Sequence, residues 1–128
     1  MGKLTKVIVS GISIFIFAGC FSEGPGDIAK KWIESAAEGD VEYIKKHSTA
    51  STINLLTLTC KMKNFKQLDS ECLKVILPKV DSVKIINVDE KEDATATVVV
   101  EEGVNGTYSK ESIELTKLND IWKVNIHK

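Results

Sequence analysis

The chain has 128 residues, enough for one compact domain of about 100 residues behind a short leader. Its 17 basic residues are all lysines and face 18 acidic residues, which gives a formal net charge of −1. Arginine, the residue best suited to bidentate contacts with phosphate and guanine, is absent, and there is no basic excess. We therefore expect one domain, with no nucleic acid among its partners.

The first 20 residues have the pattern of a bacterial lipoprotein signal peptide. The pattern consists of a positive start, a short apolar run and a processing site: Lys3 and Lys6, residues 7–17, and Phe17-Ala18-Gly19-Cys20. The apolar run is too short to cross a hydrocarbon core as a helix, which takes about 20 residues. We expect removal of residues 1–19 and attachment of lipid, including palmitate, to Cys20. An ordinary secretory signal and a buried first helix are the alternatives.

A lipid on Cys20 would anchor the protein in the membrane of a bacterial cell envelope. Phe21 follows it and is not the aspartate associated with retention at an inner membrane. In a host with two membranes, we therefore expect the outer membrane, with the domain facing the periplasm. Residues 20–26 comprise the lipidated cysteine and a tether rich in turn residues, and residues 27–128 form the single domain.

The first part of this domain has helical periodicity. Apolar residues recur at three- and four-residue spacing over residues 27–38, and Gly39 is a plausible stop. Asp40 is expected to cap a second helix that ends near residue 46, and a third spans about 50–61. Residues 64–78 predict one more helical turn and then an extended run, because Pro78 would interrupt a helix.

From residue 80 onward the pattern changes to strands and turns. Four strands are predicted, at residues 82–89, 94–101, 107–117 and from 121 toward the C-terminus. Asn105-Gly106 is a strong signal for a hairpin, because both residues accept positive φ. Helices followed by an antiparallel meander predict an α+β fold, in which the N-terminal helices pack on a curved four-stranded antiparallel sheet.

Cys60 and Cys72 form an even pair once Cys20 carries lipid. In an oxidising envelope we expect them to form a disulfide. Its closed loop of about a dozen residues would stabilise the fold by ~3 kcal/mol. Two free buried thiols are the alternative. A metal site is not expected, since two sulfurs without a nearby histidine do not complete a tetrahedral shell.

The order of lipoprotein signal, tether, helices and strands, with Glu38-Gly39-Asp40 and Trp122-Lys123-Val124, resembles a known family. It is similar to small bacterial lipoproteins with a nuclear transport factor 2-like (cystatin-like) domain, and more narrowly to their lumazine-binding-like subgroup of unknown function. The resemblance implies a cone-shaped domain of helices wrapped by a bent sheet. Some branches hold a ligand pocket and others an active site, but no catalytic residue carries over to this chain.

The ionisable residues form no recognisable catalytic or metal-binding pattern. His47 falls at the end of the second helix, where it would meet the carbonyl end of the helix dipole, and His127 falls on the outward side of the last strand. The paired carboxylates fall where strands meet turns and are interpreted as solvated hairpin charge: Asp89-Glu90, Glu92-Asp93 and Glu101-Glu102. We expect no catalytic residue, no metal and no cofactor.

Four aromatic residues are candidates to line a small-molecule pocket: Trp32, Tyr43, Tyr108 and Trp122. Packing of the helix on the sheet is the competing role for the two tryptophans. We predict a lipid-anchored, non-catalytic binding or interaction domain, with an envelope protein or a small molecule as its partner. The alternatives are an enzyme acting on a small molecule in the cone and a module that only spaces an envelope assembly.

Overall fold

The structure is a computed structural model that describes residues 23–126. The predicted leader, the lipidation site Cys20 and His127 lie outside the described residues. The chain order is four helices followed by four strands, which confirms the expected α+β class.

The helices are α1 (Pro25–Glu38), α2 (Val41–Lys46), α3 (Ala50–Met62) and α4 (Ser70–Ile76). Each of the last three helices has an N-cap side chain that accepts a hydrogen bond from the backbone N–H three residues later. These N-cap residues are Asp40 for α2, Thr49 for α3 and Asp69 for α4. α1 ends at Gly39, whose φ of 80° lies in the left-handed region. α4 is longer than the single turn expected there, but it ends before Pro78 as predicted.

α1 begins at Pro25, two residues before the predicted start of the domain. Proline suits the first turn of a helix, because its φ is already helical and the missing N–H would have no partner there. Pro25 and Gly26 are both buried. A Cβ on Gly26 would lie 2.9 Å from Val88 Cγ2 of the sheet. These two residues therefore belong to the packed domain rather than to a flexible tether.

The strands are β1 (Ser82–Glu90), β2 (Thr95–Val104), β3 (Thr107–Leu118) and β4 (Ile121–Val124). They form one antiparallel sheet in chain order. The turn between β2 and β3 consists of Asn105 and Gly106, with φ values of 52° and 80°, which confirms the predicted hairpin. β4 is shorter than expected and ends at Val124.

The two edges of the sheet are irregular. In the β1–β2 pairing, Ile85 lies opposite Val100 and Asn87 opposite Val99, so Ile86 is a bulge without a partner. On the other edge, Ser48 forms a parallel bridge with Val124. The short segment before α3 therefore covers the end of β4.

The core lies between the helices and one side of the sheet. α1 contacts all four strands. Its buried residues pack with alternate residues of the strands, among them Ala96, Val98, Val100, Leu115 and Val124. A disulfide joins Cys60 of α3 to Cys72 of α4, with a Cα–Cα distance of 5.9 Å. The bridge expected from the sequence is thus present in the structure.

Candidate functional site

The helix-facing side of the sheet has two ends. The strand register places Ala96, Leu115, Trp122 and Val124 together at one end, and all four are buried in the core. We call this the filled end. On the same side of β3, Ile113 and Glu111 lie two and four residues from Leu115. On the same side of β2, Glu102 lies six residues from Ala96. We call this the open end.

Hydrogen bonds tie the filled end to the helices. Thr52 Oγ1 donates to the carbonyl of Val124 at 3.2 Å and accepts from the N–H of Ile126 at 2.8 Å. The backbone N–H of Thr49 donates to the carbonyl of Val124, and the N–H of Val124 donates to the carbonyl of His47. Buried polar groups need such partners to offset desolvation. The start of α3 is therefore fixed to β4 by direct hydrogen bonds.

The open end contains a cavity of ≈420 Å³. This volume lies in the range of about 300–1,000 Å³ that is usual for small-molecule sites. The cavity is formed by one face of α1, the linker from α4 to β1, the sheet and the segment after β4. The lining residues are Trp32, Ile33 and Ala36; Leu77, Pro78 and Val80; Glu102 and 111–114; and Asn125 and Ile126.

The local sequence of α1 and of the linker after α4 determines which residues line this cavity. Gly26 lets the first turn of α1 approach the sheet closely at Val88. Trp32, Ile33 and Ala36 lie one to three turns further along α1 and form a continuous apolar face. Pro78 prevents α4 from continuing, so the chain crosses to β1 as an extended wall. The cavity is therefore bounded largely by apolar side chains.

Three glutamates of the sheet line the cavity: Glu102 and Glu111, which share the helix-facing side of the strands, and Glu114 of β3. Glu102 is half-buried and Glu111 is exposed. Burial raises the pKa of Glu102 above its ordinary value, and the negative charge of Glu111 adds to the rise. Among residues 23–126, no lysine forms an ion pair with Glu102 or Glu111. The cavity thus combines apolar walls with a local excess of negative charge.

Trp32 lines the cavity, and its indole Nε1 donates to Ser48 Oγ at 2.8 Å. Its one polar group is therefore already bonded within the protein, and the ring presents only apolar surface to a ligand. Trp122 lies at the filled end, outside this cavity, and is 6% exposed. Lys117 Nζ lies 5.7 Å from the centroid of its ring. The two tryptophans therefore have different roles.

Tyr43 lies on α2 and outside this cavity. Its ring centroid is 4.3 Å from that of His47. Its hydroxyl is buried without a hydrogen-bond partner among the described residues, and burial raises its pKa. His47 Nδ1 lies 3.3 Å from the carbonyl oxygen of Trp122, and burial lowers the pKa of this histidine. His47 thus lies at the end of α2, as predicted, and is a buried structural group.

Tyr108 lies on the opposite side of the sheet from the cavity. It pairs with Gly103, and a Cβ on that glycine would lie 2.8 Å from Cε1 of the tyrosine ring. Residues of β2 alternate between the two sides, so Gly103 faces away from the helices when Glu102 faces them. Tyr108 is 64% exposed on this outer side. It is therefore not brought together with Trp32.

The sequence interpretation of Glu101-Glu102 as solvated hairpin charge does not hold for Glu102. The strand was expected to end at residue 101, but β2 continues to Val104. Ala96, Val98, Val100 and Glu102 are one alternating series on the helix-facing side. A two-residue turn at Asn105-Gly106 requires paired residues at 104 and 107, and this constraint is the signal that would have placed Glu102 inside.

Within the part of the chain that the structure describes, no cluster of three or more potential metal ligands occurs. None of the helices between residues 23 and 126 has the length and apolar character needed to cross a bilayer.

Comparison with known proteins identifies the architecture. Residues 18–125 match the model of a family described as Domain of unknown function (DUF4878). No curated protein sequence matches the chain. A crystal structure of a Campylobacter jejuni protein, provisionally described as an NTF2-like transpeptidase, superimposes with a TM-score of 0.55 at 17% sequence identity. The match covers 82% of this chain and 100% of that one, and at this identity it establishes the fold alone.

Proposed function

This chain belongs to the DUF4878 family of domains of unknown function, and from that premise we propose that it is a lipid-anchored envelope protein whose NTF2-like domain binds a small, largely apolar molecule. The observation that carries the proposal is the ≈420 Å³ cavity between α1 and the open end of the sheet. Apolar residues on three sides would bury most of a ligand, and burial of apolar surface contributes about 25 cal/mol per Å².

Binding rather than spacing is favoured because the open end leaves apolar side chains around a space. Ile113 and Ile126 are only partly buried, although they border the core. At the filled end, the corresponding residues Leu115 and Val124 are enclosed. A domain that served only as a spacer would gain stability by closing this space.

The test uses the full chain with Cys20→Ser, so that no attached lipid competes for the cavity. We expect saturable binding of the neutral fluorescent probe N-phenyl-1-naphthylamine. Ile113→Trp, which fills the cavity, should weaken that binding at least roughly tenfold. Ile86→Trp places the same change on the bulge of β1 and should leave binding unchanged. Absence of saturable binding, or equal binding in the Ile113 variant, would contradict the proposal.

Lipid attachment is a separate part of the proposal and has its own support. Phe17-Ala18-Gly19-Cys20 has the residue types of a lipoprotein processing site. The packed domain begins at Pro25, so an anchored Cys20 would hold the cavity close to the membrane. Labelled palmitate should enter the wild-type protein and not Cys20→Ser, and the substitution should release the protein from the membrane fraction. Membrane association without labelling would refute this part.

Membership in the lumazine-binding-like subgroup is also proposed. Its support is the pair of short segments Glu38-Gly39-Asp40, which joins α1 to α2, and Trp122-Lys123-Val124, which forms most of β4. A solved structure of a subgroup member with the same cavity would support the assignment.

An enzyme that acts on a small molecule in the same cavity is the second candidate. The specific observation in its favour is the raised pKa of Glu102 beside Glu111, because general acid–base catalysis uses carboxyl groups shifted in this way. The two candidates differ in the fate of the ligand. Mass spectrometry of a ligand incubated with the protein should find it unchanged if the domain only binds. Conversion that stops in Glu102→Gln would favour the enzyme.

A further inference from the structure

The charge of the cavity wall limits the chemistry of its ligand. Glu111 lies opposite Val100 in the β2–β3 pairing, and Glu102 is the next residue of β2 on the same side. Diagonal neighbours of this kind have Cβ atoms roughly 7 Å apart. The two carboxylates therefore flank one position at the sheet side of the cavity.

Nothing on the described part of the chain neutralises this position. The ion pairs among residues 23–126 are Lys31 with Glu23 and Lys91 with Asp89, and neither pair borders the cavity. Glu102 is half-buried, so water screens its charge less than at an open surface. Two like charges at this separation destabilise each other, and a cation between them would relieve that repulsion.

On the opposite side, the cavity offers no matching polar surface. Trp32, Ile33 and Ala36 of α1 face the sheet, and the Trp32 indole N–H is already bonded to Ser48. A ligand that satisfies both sides must have an apolar body and a positive end. A hydrated inorganic cation would fit only the carboxylate side and would leave the apolar walls without a partner.

We infer that the cavity selects an amphiphile with an ammonium group, whose apolar part lies against α1 and whose charge lies between Glu102 and Glu111. This inference rests on the proposed function, since it names the ligand class of the same cavity. An ammonium group donates charge-assisted hydrogen bonds to carboxylates, and each such bond is worth about 1.5–3 kcal/mol.

The experiment compares ligands of one chain length in the Cys20→Ser protein by calorimetry at low salt. Octylammonium should bind about tenfold more tightly than octanol, and octanoate should bind most weakly. Added salt should weaken the binding of octylammonium and leave the binding of octanol almost unchanged. In the double variant Glu102→Gln, Glu111→Gln, octylammonium affinity should fall to that of octanol.

Glu101→Gln is the matched control. Glu101 lies on the same strand but on the outer side of the sheet, opposite Lys110, so this change removes an equal charge away from the cavity. Octylammonium affinity should not change in it. Equal affinities for octylammonium and octanol, or an equal loss in the Glu101 variant, would overturn the inference. Calcium chloride that competes with octylammonium at constant ionic strength would also overturn it, by indicating a metal site.

If the neutral probe does not bind at all, the proposed cavity function fails. If the probe binds but the ammonium group gives no advantage, only the choice of ligand class fails.

Discussion

The filled and open ends of the same sheet differ in how their inward residues are used. At the filled end, Leu115 and Val124 are enclosed, and Thr52 bonds both the carbonyl of residue 124 and the N–H of residue 126. At the open end, Glu111 and Ile113 on the same strand as Leu115 border a cavity. A shift of two residues along one strand therefore separates a packing position from a lining position.

This difference indicates that stability and binding are assigned to separate parts of a small domain. A side chain at a core position stabilises the fold by filling space completely. A side chain that lines a cavity leaves apolar surface available to a ligand and therefore stabilises the fold less. Substitutions at the two ends should accordingly change different measured quantities.

The largest expected effect comes from a matched pair of truncations on β3. Leu115→Ala should lower the free energy of unfolding by about 3 kcal/mol, because it leaves a void in an enclosed core. Ile113→Ala should cost about 1 kcal/mol, since its side chain already borders empty space. Urea denaturation measures both. Equal costs would mean that the two ends are packed alike.

The disulfide should have an effect of similar size. It joins α3 to α4 across a sequence separation of 12 residues, and α4 leads directly into the wall of the cavity. In the Cys20→Ser background, replacing Cys60 and Cys72 by serine should lower the free energy of unfolding by about 3 kcal/mol. Denaturation of the parent with and without reductant is the control. An effect of reductant on the variant itself would point to a cause other than this bridge.

A smaller effect should follow from acidification at the filled end. Burial lowers the pKa of His47 below its ordinary value of 6.5, so the unfolded chain takes up a proton first as pH falls. The contribution of neutral His47 to the free energy of unfolding is therefore complete above pH 6.5 and is lost as pH falls below that value. Thermal unfolding between pH 7.5 and 5.5 should show a steeper decline than in His47→Asn, which retains a donor for the Trp122 carbonyl.

His127 is present in both proteins, so the difference between their pH profiles isolates His47. Identical profiles would mean that the buried imidazole accepts its proton as readily as it does in the unfolded chain.

The smallest expected effect is a gain of stability at the open end. In the folded protein the pKa of Glu102 is raised above 4.5. Its contribution to the free energy of unfolding is therefore complete below pH 4.5 and declines as pH rises through the folded pKa. Glu102→Gln removes that decline and should stabilise the domain at pH 7.5 by less than about 1 kcal/mol. Glu101→Gln serves as the control in the same melts. Loss of stability in the Glu102 variant would argue against the destabilising carboxylate pair.

The order of helices and strands was predictable because local signals determine it. The stop of α1 at Gly39 and the hairpin at Asn105-Gly106 depend on positive φ, which few residues accept. The cap of α2 depends on one side chain, that of Asp40. The expected disulfide also required only two cysteines within a short stretch.

The cavity was not predictable in the same way, because it depends on where strands end and on how far elements separate. An expected end of β2 at residue 101 hid the inward position of Glu102. Tyr108 was a reasonable pocket candidate by residue type, but its side of the sheet follows from pairing with Gly103. The early start of α1 at Pro25 was likewise obscured by residues that are also typical of a tether.

The irregular edges of the sheet bear on how closely copies of the domain can be crowded together. A straight, unpaired strand edge is a template for pairing with another molecule, and anchoring to a surface would raise the local concentration of such edges. Here the bulge at Ile86 interrupts the free edge of β1, and the segment around Ser48 covers the end of β4. We therefore expect the edge of β1 and the end of β4 to resist pairing with another molecule even if a lipid anchor crowds many copies together. Residues 107–114 of β3, which β4 does not pair with, are the stretch of edge that remains.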